Sequence, residues 1–401
     1  MMFFIYDTFL AIFYKLFAPL MSFFSKDIKV WLNEQRKIKN FTKKINGKKK
    51  IWFHCSSVGE YEQVKTIINY FKNNNCELII TFFSPGAYKY LKGKVNIPCF
   101  LFPLDTKKNI NHFIKQTNTK AILIAKNEIW PNLINISFNK NIPIFIIATK
   151  IKKSKIENII FGSFYCNLLK KVNMIFVQDE KSKKILNGKK IPSIVSGDPR
   201  VDQIILDHKE KINNNLIQKF ISKKEIVIAG STEKSDYNII KNLMNSDKKK
   251  WIIVPHKNSK EEINEILNIV NQKWCLYSNP QNLDNSKIMI IDEIGILKYI
   301  YKYANVVYIG GGFSKGIHNC LEPAIFGKKI LFGPKYKSFP EANYFINKKI
   351  AFCIKNQKEF ENLMSNKKIK DEDIKSKTKL FFKYHQGASK KIITEIKKII
   401  H

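Results

Sequence analysis

Short, unbroken apolar runs separated by longer amphipathic stretches dominate this chain, and the pattern starts twice. The first series is Lys50–His54, Glu77–Phe82, Pro98–Phe102, Ala121–Ala125, Pro143–Ala148 and Met174–Gln178. The second, after Arg200, is Glu225–Ala229, Trp251–Val254, Lys287–Ile291, Asn305–Ile309 and Lys329–Phe332. Runs this short, without polar alternation, predict strands covered on both faces. Joined by helical segments, such strands make parallel, doubly wound sheets, because a parallel crossover needs a helix-length connection. A polar stretch from Asp207 to Lys224 divides the two series, so two Rossmann-like α/β domains in tandem are expected. The 401 residues, 44% of them hydrophobic, supply two real cores and exclude a disordered chain. The expected divisions are 1–25, 26–200 and 201–401; the last amphipathic segment, Ser376 to His401, is able to close against either domain.

The N-terminus stands apart. Met1 to Phe24 is aromatic-rich and nearly continuous in apolar character, interrupted by Asp7, Lys15 and Pro19. It has neither the basic leader nor the small-residue cleavage site of a signal peptide. Its length is close to that of a bilayer span, yet two charges are costly at the centre of one. On a helix Asp7 and Lys15 fall roughly 80° apart, leaving one polar face. An in-plane membrane anchor is the expectation, against a true span or a buried core helix. A polar, Lys-rich connector, Lys26 to Lys50, follows it.

The charge is the next constraint. There are 70 Lys+Arg against 33 Asp+Glu, a formal charge of +37, which points first to a polyanionic partner. Only Arg36 and Arg200 are arginines, however. Nucleic-acid sites favour the planar guanidinium fork, so a Lys/Asn/Ile excess reads as codon drift rather than nucleic-acid binding. The seven cysteines are scattered and contain no Cys-x-x-Cys pair, which argues against a disulfide framework or zinc site and for a reducing cytoplasm.

Four motifs follow strand candidates. His54-Cys55-Ser56-Ser57-Val58-Gly59-Glu60 ends one strand and opens a helix, placing amides and a carboxylate where α/β ligands bind. Glu60 there reads either as a general base or as an acid complementing a helix N-terminus. Lys126-Asn127-Glu128-Ile129-Trp130-Pro131 offers a Glu–Trp pair for a sugar or head-group pocket, with Trp130 as core packing the alternative. Ala229-Gly230-Ser231-Thr232-Glu233 is a single-phosphate site or a helix cap. The most specific is the string from Tyr308 to Ala324: Gly310, Gly311 and Gly312 let the backbone approach a ligand, and His318, Asn319 and Glu322 are expected at one-turn spacing on the helix that follows.

In this order, with the hydrophobic N-terminus, the motifs Ser57-Val58-Gly59-Glu60, Asn127-Glu128-Ile129-Trp130-Pro131, Gly230-Ser231-Thr232 and His318-Asn319-Cys320-Leu321-Glu322-Pro323 resemble the 3-deoxy-D-manno-octulosonic acid (Kdo) transferases of lipopolysaccharide synthesis. The resemblance runs nearly the full length. It implies a GT-B glycosyltransferase: two Rossmann-like domains with a cleft between them, plus an N-terminal hydrophobic anchor helix. It further implies that the N-terminal domain takes the lipid A precursor (lipid IVA) and the C-terminal domain takes CMP-Kdo. Glu60 would be the base for an inverting transfer that releases CMP. Ser231 and Thr232 would hold the donor phosphate, with Asn319 and Glu322 on the ribose and nearby groups. Gly310, Gly311, Gly312 and His318 would complete the donor site, while Ser57, Gly59, Glu128 and Trp130 would serve the acceptor or its scaffold. No metal or cofactor is implied. The setting implied is the cytoplasmic face of the inner membrane, with anionic lipid and no nucleic acid as partners.

The chain departs from that pattern in places. Pro255-His256-Lys257 stands where many relatives have Pro-Arg-His, making His256 or Lys257 the cation nearest the donor. Ile317 replaces a Gly before His318, and Asp198-Pro199-Arg200 replaces an Asn-led segment. Arg200, retained against the Lys drift, is a further candidate. The competing readings are another GT-B transferase or sugar epimerase using a UDP-sugar, and a non-enzymatic basic membrane-peripheral or nucleic-acid-binding protein.

Overall fold

The computed structural model describes residues 2–39, 49–210, 212–222, 224–246, 248–366 and 369–400. Met1 and the middle of the expected Lys-rich connector, 40–48, lie outside them. The chain forms two compact units, one of residues 1–203 with 385–401 and one of residues 204–384. The division falls inside the helix Pro199–Lys209. The expected C-terminal domain, 201–401, therefore loses its final helix to the first unit.

The first unit holds a seven-stranded sheet built from β1 (Lys50–Cys55), β2 (Glu77–Phe82), β3 (Cys99–Leu101), β4 (Thr119–Ala125), β5 (Ile144–Thr149), β6 (Met174–Val177) and β7 (Ser193–Val195), in the order β3-β2-β1-β4-β5-β6-β7. The second holds β8 (Ile226–Thr232), β9 (Lys250–Pro255), β10 (Trp274–Leu276), β11 (Ile288–Ile290), β12 (Val306–Ile309), β13 (Lys329–Phe332) and β14 (Ala351–Cys353), in the order β10-β11-β9-β8-β12-β13-β14. Every pairing is parallel. β1, β5, β9, β12 and β13 are buried along their whole length, as the continuous apolar runs require.

Several helices start on side-chain caps. The Ser57, Thr106, Asp179 and Asn356 oxygens each accept an N–H from the residue three further on, which satisfies donors that the first helical turn leaves open. In the second sheet β11 is inserted between β10 and β9; the strand order reverses between β1 and β4 in the first sheet and between β8 and β12 in the second. Outgoing connections diverge there and leave a crevice at the carboxyl ends of the strands.

Two expectations change outside the sheets. The connector from Lys26 is not irregular at its start: Lys26–Lys39 is a helix that buries Leu32, Gln35 and Ile38 on the first unit. The N-terminal segment is helical over Met2–Ile12, passes through a π-helical turn at Phe13–Phe17 and resumes at Ala18–Met21. Phe3–Met21 is long and apolar enough to cross a membrane by length and composition. Yet its polar side is engaged with protein. Tyr6 Oη donates to Asp105 Oδ2 at 2.9 Å, Asn132 Nδ2 donates to Asp7 Oδ1 at 2.6 Å, and the Phe3 ring meets Phe164 edge-on at 5.3 Å. The opposite side leaves Phe4, Phe9, Leu16 and Leu20 exposed.

The final helix, Ala388–Ile400, buries Ile392 and Ile396 in the core of the first unit. Truncating a fully buried Ile to Ala costs about 2–5 kcal/mol in transfer and cavity energy. Ile396→Ala should therefore accelerate amide hydrogen exchange in β1 and β4 while exchange in β8 and β12 is unchanged; equal acceleration in both sheets would contradict the assignment of this helix.

Candidate active site

In the first unit the polar groups gather at the carboxyl ends of β1 and β4. Ser57 caps the helix Val58–Asn73, accepting the Glu60 N–H at 3.3 Å, and the Glu60 carboxylate turns back so that Oε2 accepts the Ser56 N–H at 2.6 Å. This is close to a reciprocal capping arrangement, so the helix-terminus role weighed for Glu60 is real. Burial nevertheless pushes its carboxyl up, against the Ser56 N–H and Lys126, with Glu128 adding to the rise. Gly59 is exposed beside it. Here the carboxylate is short of solvent, held by one oxygen, and sits next to a second carboxylate.

Glu128 is fixed by a run of buried polar groups that sequence reasoning did not assign. Trp52 Nε1 donates to Thr81 Oγ1 at 2.8 Å, which leaves the hydroxyl proton for His54 Nδ1 at 2.9 Å. In the neutral ring His54 Nε2 then donates to Glu128 Oε2 at 3.1 Å, and Trp130 Nε1 donates to the same oxygen at 3.1 Å. The Trp130 ring stacks on Phe102 at 4.4 Å, the packing role weighed for it, and meets Phe83, which is 48% exposed, at 5.5 Å. Glu128 stands within an aromatic rim. Lys126, just before it, has φ +57°, a left-handed backbone rare outside glycine.

Below this lies Asp105. Its Oδ2 accepts the Asn132 N–H at 3.0 Å, its Oδ1 accepts the Leu133 N–H at 2.9 Å, and Tyr6 completes the set. These amides open the helix Pro131–Asn139, whose own N-cap residue, Trp130, supplies no side-chain bond. Asp105 caps that helix from another part of the chain and ties the N-terminal segment to the loop carrying Glu128.

Arg200 folds onto its own neighbour. Its Nε and Nη2 both reach Asp198 Oδ2, at 2.9 and 2.6 Å, and Gln63 Nε2 donates to Asp198 Oδ1 at 3.0 Å. Burial raises the Asp198 carboxyl, but the Arg200 charge and hydrogen bonds outweigh it and hold it below the ordinary range. In this placement Arg200 ties the start of the helix Pro199–Lys209 to Asp198 and, through it, to Gln63.

In the second unit the site gathers at the ends of β8 and β12. A Cβ on Gly310 would come 2.2 Å from the Ser231 carbonyl oxygen, so only glycine lets the two strand ends approach. Ser231 itself has φ +52°. Thr232 departs from expectation: it ends β8, is fully buried, and its hydroxyl lies 3.5 Å from the Val254 carbonyl and 3.4 Å from Tyr237 Oη. β8 runs three residues past the apolar run that marked it, so Thr232 belongs to the strand. The helix begins only at Lys234, and its cap is Asp236, whose Oδ2 accepts the Glu233 N–H at 2.8 Å.

Asp236, unassigned in the sequence, also fastens the glycine turn. Its Oδ2 accepts the Gly311 N–H at 2.9 Å and its Oδ1 accepts the Tyr308 hydroxyl at 2.6 Å. Gly312 lies against the backbone of Gly333, where a Cβ would meet N at 2.5 Å. The chain then returns, the His318 N–H donating to the Gly310 carbonyl at 3.2 Å. His318 and Asn319 are not on a helix as expected. They precede a single turn, Leu321–Ala324, and Asn319 bonds its first two residues: Oδ1 accepts the Leu321 N–H at 3.0 Å and Nδ2 donates to Glu322 Oε1 at 2.9 Å.

His256 and His318 stack at 4.1 Å, and His318 Nε2 lies 3.1 Å from Glu233 Oε1; Ser314 Oγ bonds the other Glu233 oxygen. Burial, then the neighbouring His318, holds His256 below the ordinary imidazole range. Burial raises Glu233, but the Ser314 and His318 bonds and the imidazole charges together bring it lower. Glu233, His256 and His318 are the side chains that could hold a metal ion, with ligand atoms within 4.8 Å of one another. Lys257 is exposed, its backbone N–H donating to Glu262 Oε2 at 2.8 Å. All seven cysteines are free; Cys55, Cys166, Cys275 and Cys320 are buried as small apolar groups.

Residues 32–203 match the family described as 3-deoxy-D-manno-octulosonic-acid transferase (kdotransferase). A 3-deoxy-D-manno-octulosonic acid transferase of Aquifex aeolicus is 28% identical over 354 residues, which cover 82% of this chain and 90% of that protein. Over these residues the chain is similar to the Kdo transferases. A bifunctional glycosyltransferase/methyltransferase of Fusobacterium nucleatum is 27% identical over 351 residues, 81% of this chain but 54% of that longer protein. In fold, the UDP-GlcNAc 2-epimerase of Neisseria meningitidis matches with a TM-score of 0.61 at 16% identity, covering 86% of this chain and 98% of its own. The architecture is GT-B.

Burial raises the Asp105 carboxyl from its ordinary value to about 7. In the unfolded chain an Asp titrates near 4, so between about pH 4 and about pH 7 the folded state binds the extra proton and stability falls as pH rises. Denaturant unfolding across that window should show the slope, and Asp105→Asn should flatten it; an unchanged slope would assign it to other groups.

Proposed function

We propose that this protein transfers Kdo from CMP-Kdo to a phosphorylated lipid A precursor, lipid IVA, with inversion at the anomeric carbon. The observation that carries the reading is the Glu60 carboxylate, buried and raised beside Glu128 at the strand ends where the first sheet reverses order. A carboxylate poised above its ordinary range is a better proton acceptor for a sugar hydroxyl near neutral pH. Glu60 takes the hydroxyl proton, the acceptor oxygen forms its bond to the anomeric carbon, and the bond from that carbon to the phosphate oxygen breaks, its electron pair leaving with CMP. Glu128, held by His54 and Trp130, positions the acceptor beside an aromatic rim suited to a sugar face. Ser57 and Gly59 shape the turn that presents Glu60.

On the donor side, Ser231 and the Gly310–Gly312 turn present backbone to the CMP phosphate, with His256 and His318 beside it as imidazole donors and Lys257 adding charge at the rim. Asn319 and Glu322, already paired, offer an amide and a carboxylate to ribose hydroxyls. Thr232 supports the Ser231 turn from below rather than touching the donor. The N-terminal helices lie in the membrane interface at the cytoplasmic face of the inner membrane, apolar side outward. Each surface Lys near an anionic leaflet adds on the order of 1 kcal/mol of attraction, so the polyanion served by the basic surface is lipid rather than nucleic acid.

The test is mass spectrometry of lipid IVA after incubation with CMP-Kdo and the full-length protein in detergent. The lipid should gain one or more Kdo residues. No gain, with turnover of a UDP-sugar instead, would replace this reading with another GT-B activity. Glu60→Gln should fold normally and lose about 10²–10⁴-fold in transfer rate, the usual contribution of a general base. Because the base acts deprotonated, the acid limb of the rate profile should lie above the ordinary Glu range; full activity in Glu60→Gln would remove it as the base.

A further inference from the structure

We propose that the turn Ile159-Ile160-Phe161 is a second membrane contact, a wedge that inserts into the apolar boundary of an anionic bilayer while lysines at its base meet the headgroups. The proposal rests on the membrane-bound reading above and names a surface that the N-terminal helices do not supply.

Exposure raises the question. Ile159 is 100% exposed, Ile160 73% and Phe161 56%. A single exposed Leu or Ile on a soluble surface is ordinary; three adjacent ones form an apolar projection that has to be covered by something. The excursion leaves the first sheet at the carboxyl end of β5, forms the short helix Lys153–Ile156, turns at residues 157–161 and returns along the helix Gly162–Leu169. β5 neighbours β4, whose end carries Glu128. The wedge therefore rises from the same sheet edge as the acceptor side of the site.

The turn is also built for an apolar medium. Asn158 Oδ1 accepts the N–H groups of both Ile160 and Phe161, at 3.1 and 2.8 Å. The Gly162 N–H donates to the Asn158 carbonyl at 2.8 Å, and the Tyr165 N–H donates to the Phe161 carbonyl at 2.8 Å. Backbone groups entering lipid must be satisfied within the protein, because the bilayer offers no replacement. Here one Asn side chain occupies the two amides of the tip while the apolar side chains point outward. Gly162 makes the return possible: a Cβ there would stand 2.5 Å from the Ile156 carbonyl oxygen.

Charge and continuity identify the occupant. Lys152, Lys153 and Lys155 are exposed at the base of the turn. The acid beside them, Glu157, pairs with Lys153 at 3.4 Å. The remaining positive excess matches the negative surface of an anionic leaflet, and long Lys stems let the charge stay at headgroup level while the tip goes deeper. On the other side of the wedge, Phe164 touches Phe3 of the N-terminal helix at 5.3 Å. The helix behind the wedge thus packs against the start of the N-terminal helix. One helix in the interface leaves the first unit free to roll about the helix axis; a second insertion point fixes which edge of the sheet faces the lipid.

The test uses the full-length protein and vesicles without donor or acceptor sugar. Vesicles of phosphatidylglycerol with phosphatidylcholine should bind the parent protein, and the double variant Ile159→Asp/Ile160→Asp should bind them about tenfold or more weakly, since two inserted apolar side chains are lost. Ile160→Trp provides the second measurement: its emission, taken as the difference from the parent, should be quenched by lipids brominated near the carbonyls. Unchanged vesicle binding by the double variant, or no added quenching in Ile160→Trp, overturns the proposal. If sedimentation shows the double variant dissociating a dimer while vesicle binding is unchanged, the turn is a contact between copies and the proposal falls. Failure here leaves the detergent transfer assay untouched, so the two readings fail separately.

Discussion

A parallel sheet covered on both faces leaves polar chemistry almost nowhere to go except its strand ends. That constraint organises both units. Side chains on β1, β5, β9, β12 and β13 are buried throughout, so a charge placed within them would need a partner to offset several kcal/mol of desolvation. The exceptions show how strictly the condition holds. His54 and Thr81, both fully buried, are joined to each other and to Trp52 and Glu128 in one hydrogen-bonded run. Each member fixes the next, so the carboxylate at the open end inherits the rigidity of the sheet.

The two units solve the strand-end problem differently. In the first, acidic side chains are brought close and held by fixed donors: Ser56 for Glu60, His54 and Trp130 for Glu128, two helix amides and Tyr6 for Asp105. Such a site can move a proton. In the second, glycine removes side chains so that backbones touch, Gly310 on Ser231 and Gly312 on Gly333, and the acid nearest the turn, Asp236, is consumed in tethering Gly311 and Tyr308. Each carboxylate around that turn is paired within the unit, Asp236 with Gly311, Glu233 with Ser314 and His318, and Glu322 with Asn319.

Most of the fold was legible because burial on both faces writes itself into sequence as an unbroken apolar run. The strands that were not expected, β7, β10 and β14, are three-residue edge strands with partly exposed side chains; an edge buries less and so leaves a weaker trace. Placement of the final helix was not legible either, since an apolar stripe states that a face is covered and not by what. At the site, Glu60, Glu128, Ser231 and the glycines stood out because they follow strands directly. Asp105, Thr81 and Asp236 did not. Each acts on a residue distant in sequence, Asp105 on Asn132 and Tyr6, Thr81 on His54, Asp236 on Gly311, and a contact of that kind has no local pattern to betray it.

Arg200 shows how a compositional signal should be weighed. In a chain that uses Lys almost everywhere, a retained Arg marks a place where a guanidinium does what an ammonium does not. Here that task is to direct Nε and Nη2 together onto Asp198 while the Arg200 backbone N–H reaches the other oxygen at 3.0 Å. A Lys offers a single flexible point charge and would leave the arrangement one donor short. The rarity of Arg thus selected a rigid element at the start of the helix Pro199–Lys209. His256 is the converse case: its imidazole stacks on His318, and partial desolvation and that neighbour both disfavour protonation, so the position lacks the permanent charge that a guanidinium carries.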